Sequence, residues 1–293
     1  MPALQDLQRQ IKSAADLYTV VRTMKSLAAV SIRQYEEAVR ALEGYFATVE
    51  LGLHAVLRHS ALTGTAERPQ GTVALVLGSD QGMAGRFNEA IIEYAADALA
   101  QEDSRQGDRH YWVAGEKAAG GMEERFGAVA EFFPLPSSAQ AITGVVQEVL
   151  LRFDARRREY GPCRLELYYN APESAASYGQ QRLPVLPPDP EWLRHMAGRP
   201  WPGRSLPLCR AAWGPLFAAL VGEYLFVALF RAFAASLAAE NAARLAAMQR
   251  AEKNIEELQE QLGARYHALR QSVITEELFD ILGGFEALNQ AED

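Results

Sequence analysis

The distribution of proline divides this chain into three parts. Pro2 lies at the start and the other 13 of the 14 prolines lie between Pro69 and Pro215, so residues 3–68 and 216–293 contain none. Proline inside a helix removes a backbone hydrogen bond and costs about 3 kcal/mol. The proline-free arms therefore predict two long helices that flank a compact insert, with domains at residues 1–68, 69–210 and 211–293.

The first arm has a regular apolar period. Steps of alternately three and four residues from Leu4 to Val56 meet an apolar residue everywhere except at Lys25. A strict seven-residue repeat indicates a left-handed coiled-coil seam, and residues 4–57 would form a rod of roughly 80 Å. Lys25 either extends beside the seam or marks a point where the paired helices loosen and offer its charge to another protein.

The second arm is also rich in helix formers, but its period is less regular. Its main predicted face contains Leu245, Met248, Ile255, Leu258, Leu262, Tyr266, Leu269 and Val273. We interpret Glu252 and Gln259 as interruptions of this seam. A slightly rotated stripe follows at Ile274, Leu278, Ile281, Phe285 and Leu288. We expect one helix from about residue 216 to 288, packed antiparallel against the first arm of the same chain.

The middle of the chain alternates between strand and helix patterns. Strands are predicted at 71–78, 111–114, 128–133 and 164–170, with helices at 87–100, 117–126 and 139–160. This alternation is typical of a Rossmann-like α/β domain with a mainly parallel sheet. Residues 184–215 are interpreted as a proline-rich connection to the second arm. The fold class is thus a long antiparallel coiled coil with an inserted α/β domain.

Composition argues against several classes of function. The net charge of −8 disfavours a nucleic-acid surface, and the separated Cys163 and Cys209 are expected to be free thiols. The beginning of the chain does not resemble a signal peptide, and the apolar run at 216–229 is too short to span a bilayer. The histidines form no metal-binding motif and no hydrolase triad is evident. We therefore expect no metal, no cofactor and no catalytic site.

Residues 78–88 follow a predicted strand and open a helix, the usual place of a phosphate-binding loop. The segment lacks the complete glycine pattern of such loops, and Asp80 would repel a phosphate. We favour a tight structural turn that uses Asp80, Gly82 and Gly85.

Residues 236–288 contain an ordered set of residue types. These are Glu240, Ala242, Ala243 and Arg244, then Ala247 and Met248, then Asn254, and finally Arg270, Gln271, Ile274, Thr275 and Glu277. The set resembles the C-terminal signature of the gamma subunit of F-type ATP synthases. Residues 20–34 are similar to the family's N-terminal helix through Met24, Ala28, Ala29 and Arg33, and residues 79–88 resemble the segment that opens its inserted domain. Ser31, Gln81, Ala84 and Arg86 depart from the family pattern and indicate a divergent branch, such as the alternate F-type ATPases of bacteria.

The resemblance implies a rotor shaft that couples ion transport to ATP synthesis or hydrolysis. Its implied partners are the alpha and beta subunits, the epsilon subunit and the membrane ring of c subunits, at the cytoplasmic face of the bacterial inner membrane. Beta-subunit contacts are implied at Met24, Lys25, Arg33, Arg270, Gln271 and Thr275. We expect antiparallel pairing to bring Arg270 and Gln271 near the level of residues 20–30.

Two other classes of function remain open at this point. A nucleotide-dependent enzyme would bind ATP or NAD through the middle domain, and a homodimeric adaptor would pair its arms between two chains. The sequence decides neither the coupling ion nor the main direction of the reaction.

Overall fold

The computed structural model describes residues 2–59, 69–101, 108–173, 177–205, 207 and 211–289. The chain forms two compact units, a helical unit of Met1–Leu27 with Ala246–Asp293 and a sheet unit of Ala28–Leu245. The inner parts of both arms thus belong to the same unit as the sheet. The domain boundaries at 68/69 and 210/211 stay predictions.

In chain order the elements are α1 (Pro2–Ala41), α2 (Glu43–His59), β1 (Gly71–Leu77), α3 (Phe87–Gln101), β2 (Asp108–Ala114), α4 (Glu116–Phe126), β3 (Glu131–Phe133), α5 (Ile142–Tyr160), β4 (Cys163–Pro172), β5 (Tyr178–Leu186), α6 (Pro190–Gly198) and α7 (Trp213–Asn289). The long C-terminal helix, the parallel strands and the three helices between them were all expected from the sequence, with modest shifts at their ends.

The first arm is two helices rather than the single helix expected over residues 3–57. The break is a turn at Leu42, whose amide donates to the Val39 carbonyl at 3.1 Å. This bond spans three residues instead of four and tightens the backbone locally. Phe46 then donates to the Leu42 carbonyl at 2.8 Å, and α2 continues the apolar repeat.

The five strands lie in the order β3-β2-β1-β4-β5. β1 is parallel to β2 and β4, β3 is parallel to β2, and β5 is antiparallel to β4. Each face of β1 is covered, which explains its continuous apolar sequence. One face packs against α5 and the early part of α7, through residues such as Trp112, Phe153 and Phe233, and the other packs against α3 and α4.

The interpretation of residues 184–215 as a plain connection is wrong for the part that forms β5 and α6. Pro184 fits β5 because this strand lies at the edge of the sheet, where a missing backbone donor is tolerated. The Asp189 side chain accepts from the Glu191 amide at 2.9 Å, and Pro190 occupies the first helical position. This is a favourable helix start.

Within the helical unit the two chain segments run antiparallel. Gln8 donates to the Tyr266 hydroxyl at 2.9 Å and Tyr18 donates to Glu256 at 3.1 Å, so rising numbers on α1 meet falling numbers on α7. The heptad positions of α1 are the buried or half-buried ones, with Ala14 only 3% exposed. The apolar repeat therefore predicted the buried face of α1 correctly.

Among the described residues, α7 is the one helix that is long and apolar enough to cross a membrane by length and composition, with a mean hydropathy of 1.8 in its most apolar window. A third of that window is buried inside the protein. Leu225, Leu229 and Phe233 belong to the core of the sheet unit, which accounts for much of the apolar character.

Candidate functional site

The central feature of the helical unit is an ion pair inside the seam. Lys25 Nζ donates to the Glu252 carboxylate, and the two side chains are 32% and 16% exposed. Both alternatives for Lys25 therefore need revision, because its charge is neutralised within the chain. The sequence carries a trace of this pair, since Lys25 is the one polar residue of the first repeat and Glu252 is one of the two polar residues that interrupt the α7 face.

The true seam of α7 includes the residues that we interpreted as interruptions. Glu252 and Gln259 are half-buried, whereas Leu258, which we placed on the seam, is 44% exposed. Buried and half-buried positions recur along α7 in steps of four and three: Met248, Glu252, Ile255, Gln259, Leu262, Tyr266, Leu269 and Val273. The error arose because apolarity alone was used to choose the phase, and a polar seam residue that has a partner violates that criterion.

The structure does not bring all predicted contact residues to one level. Tyr266 lies opposite Gln8, so Arg270 lies one helical turn beyond it, near the beginning of α1. Glu252, which pairs with Lys25, is about 27 Å away along the α7 axis at 1.5 Å per residue. The expectation that Arg270 and Gln271 lie near the level of residues 20–30 is therefore wrong. The level at which antiparallel helices meet depends on which side chains pair across them, and the apolar repeat alone does not give it.

The remaining predicted contacts have different surroundings. Arg270, Gln271 and Thr275 are exposed, and the Thr275 hydroxyl donates to the Gln271 carbonyl at 2.8 Å, a bond within the helix. Met24 is half-buried beside Lys25, whereas Arg33 is exposed and belongs to the sheet unit.

An apolar stripe lies on α1 outside the seam, and sequence reasoning missed it. Leu17, Val20 and Leu27 are 56%, 50% and 63% exposed, and Met24 completes the spacing of three and four residues between them. Neighbours at this spacing lie on one side of a helix. A second exposed apolar group lies on α7 at Ile274, Leu278 and Ile281, the rotated stripe predicted above. The predicted members Phe285 and Leu288 lie outside the side chains that the structure describes.

The turn at residues 78–88 joins β1 to α3 and contacts the beginning of α4. The Asp80 carboxylate accepts a hydrogen bond from the Glu116 amide at 2.9 Å. It thereby caps the N-terminus of α4, because Gly115 at the N-cap position has no side chain that could do so. Backbone in the left-handed region occurs at Met83 (φ 66°) and Gly85 (φ 65°). Gly82 has open space around its Cα, so the geometry of the turn does not require a glycine there.

A buried ion pair lies on α7 beside this turn. Arg244 donates to Glu240 at 2.5 Å and to Asn241 at 3.1 Å, and the Glu240 and Arg244 side chains are only 7% and 14% exposed. Burial raises the pKa of Glu240, and the Asp80 carboxylate adds to this rise, whereas Arg244 opposes it. Glu240 and Arg244 are the polar members of the first part of the C-terminal signature, so part of that signature is structural.

The apolar members of the same region hold the turn against α7. Ala84 and Phe87 form one buried cluster with Ala239 and Ala243. The small side chains of α7 permit this close approach, and Phe87 is fully buried by it. The turn therefore fastens the edge of the sheet domain to the long helix.

A further polar cluster lies on β4 and β5. Arg182 donates to both oxygens of the buried Glu166 at 2.8 and 3.1 Å, and Tyr168 donates to the same carboxylate at 2.7 Å. A cleft of about 560 Å³ opens beside Arg182 and is lined by Tyr94 and Asp97 of α3. Within the described parts of the chain, no group of three or more histidine, cysteine or acidic side chains could hold a metal ion.

Comparisons with known proteins agree with this architecture. A family model described as ATP synthase matches residues 3–288. The ATP synthase gamma chain of Salinibacter ruber is 29% identical, over 99% of this chain and 100% of its own length. That of Paracoccus denitrificans is 28% identical, over 98% of this chain and 100% of its own length.

Solved structures share the fold at lower sequence identity. A chain of the Euglena gracilis mitochondrial ATP synthase in an OSCP/F1/c-ring assembly superposes with a TM-score of 0.65 at 17% identity, covering 100% of this chain and 96% of that chain. A chain of the Tetrahymena thermophila central stalk and c-ring gives a TM-score of 0.55 at 17% identity, covering 79% of this chain and 99% of that chain. Because the family model spans both helical arms and the sheet between them, and the relatives match over their full length, this chain belongs to the gamma-chain family of ATP synthases.

Proposed function

We propose that the protein is the central-stalk rotor subunit of an F-type ATP synthase and transmits torque between a c-ring and the catalytic alpha/beta hexamer. The family match over residues 3–288 carries this proposal. The match covers the antiparallel helices that would form the shaft. It also covers the sheet domain through which other subunits would hold the rotor.

The long helix α7 supports this mechanical function. It contributes Leu229 and Phe233 to the core of the sheet unit, and Met248 and Leu262 to the seam of the helical unit. A load applied to the sheet domain is therefore received by the same continuous helix that forms half of the seam. The cluster of Phe87 with Ala239 and Ala243 is a second attachment of that domain to α7.

The proposed beta-subunit contacts do not lie at one level of the helical unit. Met24 and Lys25 lie at the level of Glu252, whereas Arg270, Gln271 and Thr275 lie further along α7 toward its end. Arg33 belongs to the sheet unit and is a separate proposed contact. Each exposed polar contact is worth about 0.2–1 kcal/mol, which is small enough to be made and broken during rotation.

The remaining elements of the proposal concern chemistry and place. The chain carries no catalytic site, cofactor or metal of its own and acts through the alpha, beta and epsilon subunits and the c-ring. It lies at the cytoplasmic face of a bacterial inner membrane as a peripheral part of the membrane-associated complex. The family resemblance supports each of these statements, and assembly experiments can test them.

The decisive experiment is reconstitution with and without this chain. Alpha and beta subunits of the same organism are combined with it, and the complex is joined to membrane vesicles that contain the c-ring. We expect ion pumping driven by ATP only when the chain is present. Failure to assemble with alpha and beta would refute the proposal. ATP binding by the isolated chain would favour the enzyme, and a mass of twice 32.3 kDa in dilute solution would favour the homodimeric adaptor.

A further inference from the structure

The cleft beside Arg182 is lined by four residues from one side of α3. Tyr94, Asp97, Ala98 and Gln101 follow the spacing of three and four residues that places side chains on one side of a helix. Arg182 of β5 completes the lining, and we call this region the α3 cleft. Its volume of about 560 Å³ is large enough to receive a long side chain.

The groups behind the α3 cleft are fixed by contacts within the sheet. Tyr94 packs edge-on against the buried Tyr168 ring, with 6.4 Å between the ring centroids. The Tyr168 hydroxyl and the Arg182 guanidinium both donate to the buried Glu166 carboxylate. The charge of Arg182 is therefore balanced inside the chain. A lining that is held in place before a ligand arrives costs less to order on binding.

The Asp97 carboxylate provides the unbalanced charge of the α3 cleft. It is exposed, and among the described residues no basic side chain forms an ion pair with it. Glu93, one turn earlier on the same helix, is instead paired with Arg86 at 3.2 Å. The α3 cleft thus offers a negative charge that a ligand can neutralise.

The surface around the α3 cleft has the same sign. The helices α3 and α4, which cover one face of the sheet, carry six acidic and two basic residues. The helix α5 on the other face carries three acidic and four basic residues. The field of the α3 and α4 surface therefore attracts a cationic partner.

We propose that the α3 cleft binds an arginine side chain of a partner subunit. The guanidinium would pair with the Asp97 carboxylate, stack on the exposed ring of Tyr94 and donate to the Gln101 side-chain oxygen. A planar guanidinium satisfies a carboxylate and a ring together, which the compact ammonium of lysine does less well. An anion would meet the unpaired carboxylate and a guanidinium that is already neutralised, so the lining disfavours it. This inference rests on the proposed function, in which other subunits hold the sheet domain, and it names the chemistry of one such contact.

The first measurement titrates the full-length chain with N-acetyl-arginine amide and follows the backbone amide signals by nuclear magnetic resonance. We expect saturable shifts at Tyr94, Ala98 and Gln101. N-acetyl-citrulline amide has nearly the same shape without the charge and should bind about tenfold more weakly. Asp97→Asn should weaken the binding of the arginine probe about tenfold or more, and Tyr94→Leu should weaken it about two- to fivefold.

The matched control is Glu123→Gln, which removes an exposed carboxylate from the same surface but outside the α3 cleft. It should change the affinity for the arginine probe by less than about twofold. Equal weakening by Asp97→Asn and Glu123→Gln, or equal binding of the citrulline probe, would overturn the inference. Tighter binding of spermidine than of the arginine probe would assign the cleft to a free polyamine and also overturn it.

The second measurement determines whether the α3 cleft is covered in the assembled complex. The variant Gln101→Cys is labelled with a maleimide, both as the isolated chain and in the complex with alpha, beta and epsilon subunits and the c-ring, and the labelled peptide is quantified by mass spectrometry. Labelling at position 101 should slow about tenfold or more on assembly, because a seated side chain excludes solvent from the cleft. An unchanged rate in a complex that has assembled would refute the inference and leave the proposed function standing.

Discussion

The ion pair in the seam yields the most specific stability prediction. In the variant Lys25→Met the apolar side chain suits the seam, but the Glu252 carboxyl group is left at 16% exposure without its partner. A carboxylate that is both largely buried and unpaired is destabilising because it has lost water and gained nothing in return. The effect therefore comes from the residue left behind, not from the one that was changed.

The magnitude follows from the exposure of the two side chains. Hydrogen bonds to charged groups contribute about 1.5–3 kcal/mol, and fully exposed ion pairs contribute about 0.2–1 kcal/mol. Because Lys25 is 32% exposed and Glu252 is 16% exposed, the pair lies between these cases. We expect Lys25→Met to lower the free energy of unfolding by about 2 kcal/mol. The double variant Lys25→Met with Glu252→Leu should return to within about 1 kcal/mol of the wild type, since both positions are seam positions.

The assay is urea unfolding of the full chain, followed by far-ultraviolet circular dichroism. The matched control is Lys253→Met on the same helix, where the pair with Glu257 spans 3.8 Å and is 77% and 59% exposed. This control should change the free energy of unfolding by less than about 0.5 kcal/mol. If Lys25→Met costs no more than the control, or if the two seam substitutions add instead of compensating, the pair does not stabilise the helical unit.

Three further predictions concern the turn, the buried carboxyl and the coupling contacts. Gly78→Ala should destabilise the fold by about 1–3 kcal/mol, because its Cβ would lie 2.1 Å from a neighbouring Cβ, whereas Gly82→Ala should be nearly neutral; equal unfolding midpoints would contradict this. The pKa of Glu240 is raised in the folded state, so between a pH of about 4.5 and the folded pKa the native state binds more protons than the unfolded state. The contribution of Glu240 to the free energy of unfolding is therefore lost as the pH rises through that range. The stability of the wild type relative to Glu240→Gln should therefore fall over that range, and a flat difference would contradict the cause. Arg270→Ala or Gln271→Ala should leave the chain folded and assembled but lower the ratio of ion pumping to ATP hydrolysis, and an unchanged ratio would remove them from the proposed contacts.

The long helices could be predicted from the sequence because their physics is local and periodic. The repeat from Leu4 to Val56 identified the buried face of α1 and α2, since an apolar stripe must be covered wherever it occurs. The turn at Leu42 could not be predicted, because Leu42 is itself apolar and in phase with the repeat. The backbone tightens at Leu42 although this residue is neither a glycine nor a proline.

The errors at the candidate site have a common physical cause. The role of a polar residue on a buried helix face depends on the side chain that it contacts on the opposite helix. The sequence of its own helix does not show that side chain. Asp80 shows the same limit, because its role is to cap α4, which begins 36 residues later at Glu116. The α6 start at Asp189 and Pro190 was predictable in principle, since a capping residue followed by proline is a local pattern.

The polar contacts of the helical unit explain how an apolar repeat can specify one register. A seam built only of apolar residues can slip by seven positions at little cost, because every heptad resembles the next. Slipped by one heptad, Lys25 would face Gln259 instead of Glu252, and the carboxylate would lose its partner. The hydrogen bonds from Tyr18 to Glu256 and from Gln8 to Tyr266 would be lost in the same movement. A shaft under load must resist this slip, so the residues that weaken the apolar pattern are the ones that fix the pairing of the two helices.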